Sequence, residues 1–230
     1  MLSVLYENLR KAWHVRYPTG ILCHKFHFIF FPVPKAASSS IRKVIAEMEG
    51  LPSEGDPHHE ISFDLVWAKS LHAYSDYRKF TVVRNPWDRL VSCFKDKVQE
   101  RHNGRAEVLE GFERYNKILR TSLFYPTMTF AEFVNVIAKI PDAVADEHFR
   151  SQYRMFCGPG GARLVDRVIK FEDLHDEIRH LFLELGAPNY EVKHMNRSNT
   201  TEYKELYTDT LIEIVERRYR KDIELLNYVF

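Results

Sequence analysis

The sequence has 230 residues, of which 45% are hydrophobic, and its 33 Lys and Arg nearly balance its 32 Asp and Glu. This length and composition suit one ordinary globular domain, which we predict to span residues 1–230. The formal net charge of +1 excludes attraction of nucleic acid or an acidic membrane surface through an overall positive field. Any anion-binding site must therefore be local.

The cysteines and residues 1–18 are informative about the cellular compartment of the protein. Cys23, Cys93 and Cys157 are widely spaced and form no CxxC or Cys/His metal motif. This pattern favours reduced thiols in a cytosol-like compartment. Residues 1–18 contain charged side chains and no long apolar core, so they predict neither a signal peptide nor a transmembrane anchor. The sequence thus predicts a cytoplasmic protein without a metal site.

The first predicted elements are a strand and a helix. His27–Val33 is rich in Phe and Ile and predicts a buried strand. Residues 39–49 place apolar side chains on one face at helical spacing, and Gly50 suits the end of that helix. Residues 51–60 are dense in Pro, Gly, Ser and Asp and predict a loop, after which residues 61–72 form a further helical candidate.

A second strand is predicted over Lys79–Val83, followed by a helix with Asn85 as N-cap and Pro86 at its first position. Later segments predict helices over 130–140 and 143–154, a strand over 166–173, a helix over 174–185 ending at Gly186, and a long helical pattern over 201–226 with a candidate break at Tyr219. Strands alternating with helices predict an α/β domain. We expect a three-layer α/β/α fold around a mainly parallel sheet, with extra C-terminal helices.

The first motif, "PVPKAASSS", lies where the first predicted strand ends. Ligands of open α/β sheets bind at the carboxyl ends of strands, and a following helix N-terminus attracts anions. The motif combines one positive charge with small and hydroxyl side chains: Lys35, Ala36, Ala37, Ser38, Ser39 and Ser40. It predicts a site for phosphate or sulfate. The alternative is a plain strand-to-helix turn with a solvated lysine and a serine N-cap.

The second motif, "VRNPWDRLVSCFKDK", repeats the sequence of strand, turn and helix start. Arg84 ends the strand at the edge expected for Lys35, and an arginine fork suits a phosphate dianion. Ser92 lies on the face of this helix away from its apolar stripe, which consists of Trp87, Leu90, Val91, Phe94 and Val98. The alternative is that Arg84 pairs with Asp88 and that Ser92 is an ordinary surface residue.

Together the two motifs resemble the two signatures of sulfotransferases that use 3′-phosphoadenosine-5′-phosphosulfate (PAPS), namely PKxxxxS/T/W and RxPxxRxxSxxxxK. The likeness is closest to carbohydrate sulfotransferases related to the HNK-1 and chondroitin 4-O enzymes, which have a "VR(D/H/E)PFERLVSAYRDK" segment. The segments "MTFAEFVNVI", "DEHFRSQY", "DRVIKFEDLHDEIRHLFLELG" and "YRKDIELLNYVF" are also similar to this family. The departures are Ala37 in place of the usual Gly or Cys, the lack of a luminal anchor and the reduced cysteine set.

The resemblance implies a P-loop-NTPase-like sulfotransferase fold and transfer of the sulfuryl group of PAPS to an acceptor hydroxyl, expected on a saccharide, with 3′-phosphoadenosine-5′-phosphate (PAP) as product. It implies Lys35 as the cation that stabilises the leaving nucleotide, and residues 36–40 as the holders of the 5′-phosphate. Arg84 and Ser92 correspond to the residues for the 3′-phosphate. Arg197, in "HMNRSN", is the candidate for covering the nucleotide.

The acceptor hydroxyl needs a general base, for which His and Glu are suitable near neutral pH. In sulfotransferases that use a Glu base, the Glu often lies on the element after the phosphosulfate loop, and a His base lies about as far before the 3′-phosphate Arg as His59 lies before Arg84. From this resemblance we rank His59 of "DPHHE" first, then Glu60 and His58. His148 in "DEHFRSQY" is the rival. Neighbouring side chains are candidates for contact with an anionic sugar: Arg150, Gln152 and Arg154.

Two other functions remain open at this point. A small nucleotide-dependent kinase would have a similar sheet and anion loops, and metal dependence would separate it from a sulfotransferase. A non-catalytic nucleotide-binding module would keep the loops without turnover. The acceptor and the oligomeric state are also open, since "LNYVF" suits packing on the core or on a second subunit.

Overall fold

The computed structural model describes residues 18–52, 56–58, 60–99, 112, 115–117, 122–125, 127–192 and 202–230. The chain divides into two compact units. The sheet unit contains the described residues of 17–84 and 152–197, and the helical unit contains those of 85–151 and 198–230. The single domain expected for residues 1–230 stays a prediction.

The sheet unit is built around a five-stranded mixed sheet of order β3-β1-β2-β4-β5. Its strands are β1 (Thr19–Cys23), β2 (Phe28–Phe31), β3 (Leu65–Trp67), β4 (Arg78–Val83) and β5 (Arg167–Lys170). The pairs β2–β4 and β4–β5 are parallel, whereas β1 pairs antiparallel with both β2 and β3. The α/β class is thus confirmed, but the expected parallel arrangement holds only for β2, β4 and β5.

The described α-helices are α1 (Ser38–Glu49), α2 (Pro86–Phe94), α3 (Phe130–Ile137), α4 (Tyr153–Phe156), α5 (Leu174–Glu184), α6 (Asp209–Arg218) and α7 (Arg220–Leu226). Short 3₁₀ helices cover Ala68–Tyr74, Asp142–Val144, Pro159–Gly161, Phe171–Asp173 and Glu202–Leu206, and Lys95–Gln99 forms one turn of π-helix. The expected C-terminal helices are present, and they break at Tyr219 as predicted.

Three helix ends have the capping residues that the sequence predicted. The Asn85 side chain accepts a hydrogen bond from the backbone N–H of Trp87 at 3.1 Å, and Pro86 occupies the first turn of α2. Gly50 and Gly186 follow α1 and α5 with left-handed φ values of 71° and 74°. Glycine takes this conformation without the Cβ clash that other residues meet, so it ends helices readily.

Two predicted helices are wrong. Residues 61–72 contain β3 and part of a 3₁₀ helix. β3 has only three residues, and its apolar Leu65 and Trp67 are 54% and 47% exposed, so the sequence lacks the alternation of apolar and polar residues typical of a half-buried strand. Residues 143–154 form turns before the single turn of α4. The carboxylate of Asp142 accepts the N–H of Ser151, and that of Asp146 accepts the N–H of His148, in place of helical hydrogen bonds.

The core of the sheet unit fixes the carboxyl ends of its parallel strands. Phe28, Phe30 and Phe31 are fully buried, and the Phe28 ring stacks on Phe182 of α5 at 6.4 Å between centroids. The buried Thr81 hydroxyl donates to the carbonyl of Phe31 at 2.7 Å. This side-chain bond ties β4 to the last residue of β2, next to the segments that carry both motifs.

The helical unit has a separate aromatic core. Its fully buried rings include Phe112, Tyr115, Phe124, Phe133 and Phe149. The ring of Phe230 lies 5.7 Å from Trp87, 5.8 Å from Tyr203 and 5.3 Å from Tyr207, measured between centroids. The "LNYVF" segment therefore packs on its own unit.

Two further observations concern compartment. None of the helices in the described parts of the chain is long and apolar enough to cross a membrane. Cys23, Cys93 and Cys157 are not joined in disulfide bonds, and all three are buried. The cytoplasmic location stays a prediction.

Cys23 links stability to pH. Its buried thiol donates to Oε1 of Glu49 at 3.2 Å, and burial, followed by this carboxylate, raises its pKa from 9.0 to about 12. Between pH 9 and 12 the unfolded chain loses this proton while the folded chain keeps it, so stability falls as pH rises. As pH rises, we expect the free energy of unfolding of the wild type to fall more steeply than that of Cys23→Ala. The difference between the two slopes is up to about 1.4 kcal/mol per pH unit. Urea unfolding from pH 9 to 11 measures this, and equal slopes would contradict it.

Candidate functional site

The loop between β2 and α1 contains two residues in a left-handed conformation. Lys35 has φ 68° and Ala37 has φ 58°. A left-handed conformation costs a non-glycine residue about 1–2 kcal/mol. Such strain persists only where the surrounding structure enforces it, and it concentrates at functional sites. Of the four non-glycine residues with positive φ in the described chain, two lie in this loop, and the others are His27 and Asn227. The backbone thus points to this loop without reference to its residue types.

The same loop is shaped for an anion. Ala37 is the N-cap residue, and α1 starts at Ser38, so the serine N-cap considered above is wrong. A left-handed residue followed by a helical one turns successive N–H groups to one side and forms a concave anion site. The first N–H groups of a helix also lack acceptors within the helix and lie at its positive end. These groups fit a phosphate or sulfate.

Arg84 meets this loop. It follows β4 directly, is only 6% exposed, and its Nη1 donates to the carbonyl of Lys35 at 3.1 Å. The guanidinium carbon lies 4.4 Å from the ring centroid of Phe171, within cation–π range. The structure therefore brings together Lys35 of the first motif and Arg84 of the second.

Gln152 holds the backbone of Arg84. Its Oε1 accepts the N–H of Arg84 at 2.9 Å, and its Nε2 donates to the Arg84 carbonyl at 2.8 Å. Gln152 is fully buried, so the predicted contact with an anionic sugar is wrong for this residue. The guanidinium of Arg154 lies over the ring of its neighbour Tyr153 at 5.4 Å.

Of the three candidate bases in "DPHHE", the structure describes His58 and Glu60. His58 Nε2 lies 2.7 Å from the hydroxyl of Ser39, in the first turn of α1. The backbone N–H of His58 donates to Oδ1 of Asp56, and that of Glu60 donates to the Asp56 carbonyl, both at 2.9 Å. Thus His58 lies beside the anion loop. His59, the first-ranked base, lies outside the described residues.

His148 lies in the helical unit and is paired with a carboxylate. Its Nδ1 is 2.6 Å from Oδ1 of Asp146, and the same oxygen accepts the backbone N–H of His148 at 3.0 Å. The His148 side chain is 26% exposed and that of Asp146 only 6%. Arg89, which is 2% exposed, donates to the carbonyls of Glu147 and Arg150 and so braces this turn. An imidazole held by a carboxylate is typical of an oriented general base.

Three other predictions from the sequence concern Ser92, Arg197 and metal binding. Ser92 is half-buried, and the other eight residues of α2 are all buried, so α2 buries more than the predicted apolar stripe. Arg197 lies outside the described residues. Within the described part of the chain, no group of three or more His, Cys, Asp or Glu side chains could hold a metal ion.

Sequence reasoning missed the partners of the candidate residues. Gln152 holds Arg84, Phe171 lies against its guanidinium, Asp146 pairs with His148, and Arg89 braces the His148 turn. All four lie in segments that carry the family resemblance, and that resemblance was the only available signal. The contacts of Gln152, Phe171 and Arg89 join distant parts of the chain, which local patterns do not reveal, whereas Asp146 is only two residues from His148.

We expect Ala37→Gly to stabilise the protein by about 0.5–1 kcal/mol, because glycine removes the left-handed strain but loses more backbone entropy on folding. The matched control is Ala131→Gly in α3, where the exposed alanine is helical and the change should destabilise by about 0.5–1 kcal/mol. Urea unfolding of both variants gives the two values. Destabilisation of similar size in both would contradict strain at Ala37.

Residues 19–229 match the model of a family described as "Sulfotransferase family". Among curated proteins, the chain is 26% identical over 200 residues to carbohydrate sulfotransferase 14 of Danio rerio, covering 80% of this chain and 52% of that protein. It is 25% identical over 221 residues to carbohydrate sulfotransferase 8 of Homo sapiens, covering 85% and 51%. It is 33% identical over 101 residues to carbohydrate sulfotransferase 10 of Gallus gallus, covering 37% and 27%.

The chain spans about half the length of the first two of these relatives. No solved structure gives a significant match.

Proposed function

We propose that this chain, which belongs to the sulfotransferase family, transfers the sulfuryl group of PAPS to a hydroxyl group of a carbohydrate. The observation that carries the proposal is the hydrogen bond from Arg84 to the carbonyl of Lys35. It joins the two motifs that the family resemblance assigns to the two ends of the nucleotide. The names of the similar proteins, all carbohydrate sulfotransferases, support a saccharide acceptor.

Each site residue then has a chemical role. When bound, PAPS supplies the activated sulfuryl group: the acceptor oxygen bonds to sulfur, the bond from sulfur to the 5′-phosphate oxygen breaks, and PAP is released. Lys35 places a positive charge where negative charge develops on that oxygen, which stabilises the transition state more than the ground state. The N–H groups at the start of α1, with Ser39 and Ser40, hold the 5′-phosphate. By the family resemblance, Arg84 and Ser92 are the residues for the 3′-phosphate.

The acceptor proton needs a base, and we place His148 first. A carboxylate on Nδ1 fixes the ring and leaves Nε2 to accept a proton, as Asp146 does for His148. His58 instead has its Nε2 at the Ser39 hydroxyl, beside the anion loop, so we assign it to the support of that loop. His59 and Glu60 are the alternatives.

The test is binding followed by turnover. Isothermal titration with PAP in EDTA measures donor binding, and transfer from PAPS is measured with a panel of neutral and acidic oligosaccharides. We expect metal-independent PAP binding, and transfer to at least one saccharide. Binding only of ATP with Mg²⁺ would favour a kinase instead. PAP binding without turnover on any acceptor would favour the non-catalytic module.

The base is tested by comparing His148→Ala with His58→Ala, His59→Ala and Glu60→Gln. We expect His148→Ala to lower kcat by about 10²- to 10⁴-fold, the usual contribution of a general base, with PAP affinity nearly unchanged. Asp146→Asn should cause a smaller loss, because the ring keeps its nitrogen but loses its oriented partner. A selective loss of kcat in His59→Ala or Glu60→Gln, with His148→Ala active, would transfer the role to that residue.

A further inference from the structure

Gln152 occupies the place of a neighbouring strand at the end of β4. The paired registers of β4 end at Phe31 with Thr81 on one side and at Lys170 with Val83 on the other. Arg84 lies just beyond both. Its N–H and its carbonyl bond to the side-chain amide of Gln152, at 2.9 Å and 2.8 Å. A glutamine amide has the same donor and acceptor groups as a peptide, so it extends the ladder by one residue.

This amide is fixed in one orientation. Gln152 is fully buried, and an inverted amide would place its NH₂ against the N–H of Arg84 and its oxygen against the Arg84 carbonyl. Both hydrogen bonds would be lost. Because unsatisfied buried backbone groups are costly, the side chain holds the Arg84 backbone firmly.

The effect of Gln152 extends to Lys35. With its backbone held, Arg84 reaches the Lys35 carbonyl through Nη1 at 3.1 Å, while Phe171 lies against the guanidinium. Lys35 has φ 68°, a conformation that needs support from its surroundings. The hydrogen bond from Arg84 is such a support. A chain of contacts thus runs from Gln152 through Arg84 to the strained residue of the anion loop.

We infer that Gln152 is a positioning residue, which holds Arg84 and through it the left-handed conformation at Lys35, and so sets the affinity of the loop for PAP. That the ligand is PAP rests on the proposed function. The positioning of Arg84 and Lys35 by Gln152 rests on the contacts alone and can be measured without a ligand.

The test uses Gln152→Leu, which keeps similar bulk and loses both hydrogen bonds, in the wild-type and Arg84→Ala backgrounds. In the wild-type background we expect PAP binding to weaken about tenfold, the size typical of lost buried hydrogen bonds. In the Arg84→Ala background we expect no further weakening, because the side chain that Gln152 positions is absent. A purely structural role would weaken binding equally in both.

The matched control is Thr81→Val, which also removes a buried side-chain bond of β4, the 2.7 Å bond to the Phe31 carbonyl. It should lower stability and leave PAP affinity unchanged. The ligand-free readout is hydrogen exchange at the Arg84 amide and at residues 35–37. We expect Gln152→Leu to accelerate exchange there by about 10- to 100-fold, the size expected when buried hydrogen bonds are lost and local opening becomes easier.

The outcomes separate the two proposals. If the wild type binds PAP, equal effects of Gln152→Leu in both backgrounds, or no effect in either, would overturn the inference. If the wild type does not bind PAP, the proposed function fails. The positioning role is then decided by exchange alone: faster exchange at Arg84 and residues 35–37 supports it, and unchanged exchange overturns it.

Discussion

Lys35→Ala is expected to lower kcat by about 10²- to 10³-fold, while weakening PAP binding less than about tenfold. The reason is that negative charge near Lys35 increases during the reaction and is smaller in the bound ground state. The oxygen that leaves sulfur gains negative charge in the transition state, so a cation there contributes more to turnover than to ground-state binding. The anion loop and Arg84 remain in the variant and still bind the phosphates.

Lys35→Arg separates charge from geometry. Arginine keeps the positive charge but presents a planar fork in place of a compact ammonium, so we expect partial activity. The control is Lys43→Ala, which removes an exposed lysine from α1 and should leave kcat unchanged. Steady-state kinetics with the best saccharide of the panel, together with titration of PAP, give both quantities. A kcat for Lys35→Ala near that of the wild type would remove this lysine from the chemistry.

Arg89→Ala is expected to destabilise the helical unit by about 3–5 kcal/mol, the range for loss of one buried charged partner. Arg89 is 2% exposed and donates to the carbonyls of Arg150 at 2.8 Å and Glu147 at 2.9 Å. Burial lowers the pKa of its guanidinium, while Tyr219 and the fully buried Asp222 act in the opposite direction. Its removal leaves two carbonyls without this donor and opens a cavity.

Arg89→Lys should recover only part of this stability, because one ammonium replaces a fork that spans two carbonyls. The control is Arg217→Ala. Arg217 is an exposed arginine of α6 whose bond to the Glu213 carbonyl is 3.3 Å long, and we expect a change below about 0.5 kcal/mol. Urea unfolding followed by circular dichroism measures all three. A change of similar size in Arg89→Ala and Arg217→Ala would show that the buried hydrogen bonds matter little.

The elements that the sequence predicted well have strong local signals. The run at His27–Val33 is apolar enough to indicate a buried strand, and Asn85 with Pro86 defines a helix start through local hydrogen bonding. The strands β1 and β3 were missed. β3 has only three residues, all apolar, of which only Val66 is buried, so it lacks the alternation of apolar and polar residues that indicates a half-buried strand.

The candidate site also has features that the sequence predicted and features that it did not. The loop from Lys35 to Ser40 and the position of Arg84 could be predicted, because each follows directly from the end of a strand. The clamp on Arg84 could not, because Gln152 lies 68 residues away in the chain and no periodicity connects them. The left-handed conformation of Ala37 was also hidden, since alanine is a poor indicator of positive φ.

Trp67 and Trp87 give each unit its own fluorescent reporter. Trp67 belongs to the sheet unit and is 47% exposed, whereas Trp87 belongs to the helical unit and is 3% exposed. In a Trp13→Phe background, each can be kept alone by changing the other to Phe. Emission of the Trp87 protein should be blue-shifted and resist acrylamide quenching, and that of the Trp67 protein should be red-shifted and readily quenched. Coincident urea midpoints for the two would indicate that both units unfold in one cooperative transition, and separate midpoints would indicate two.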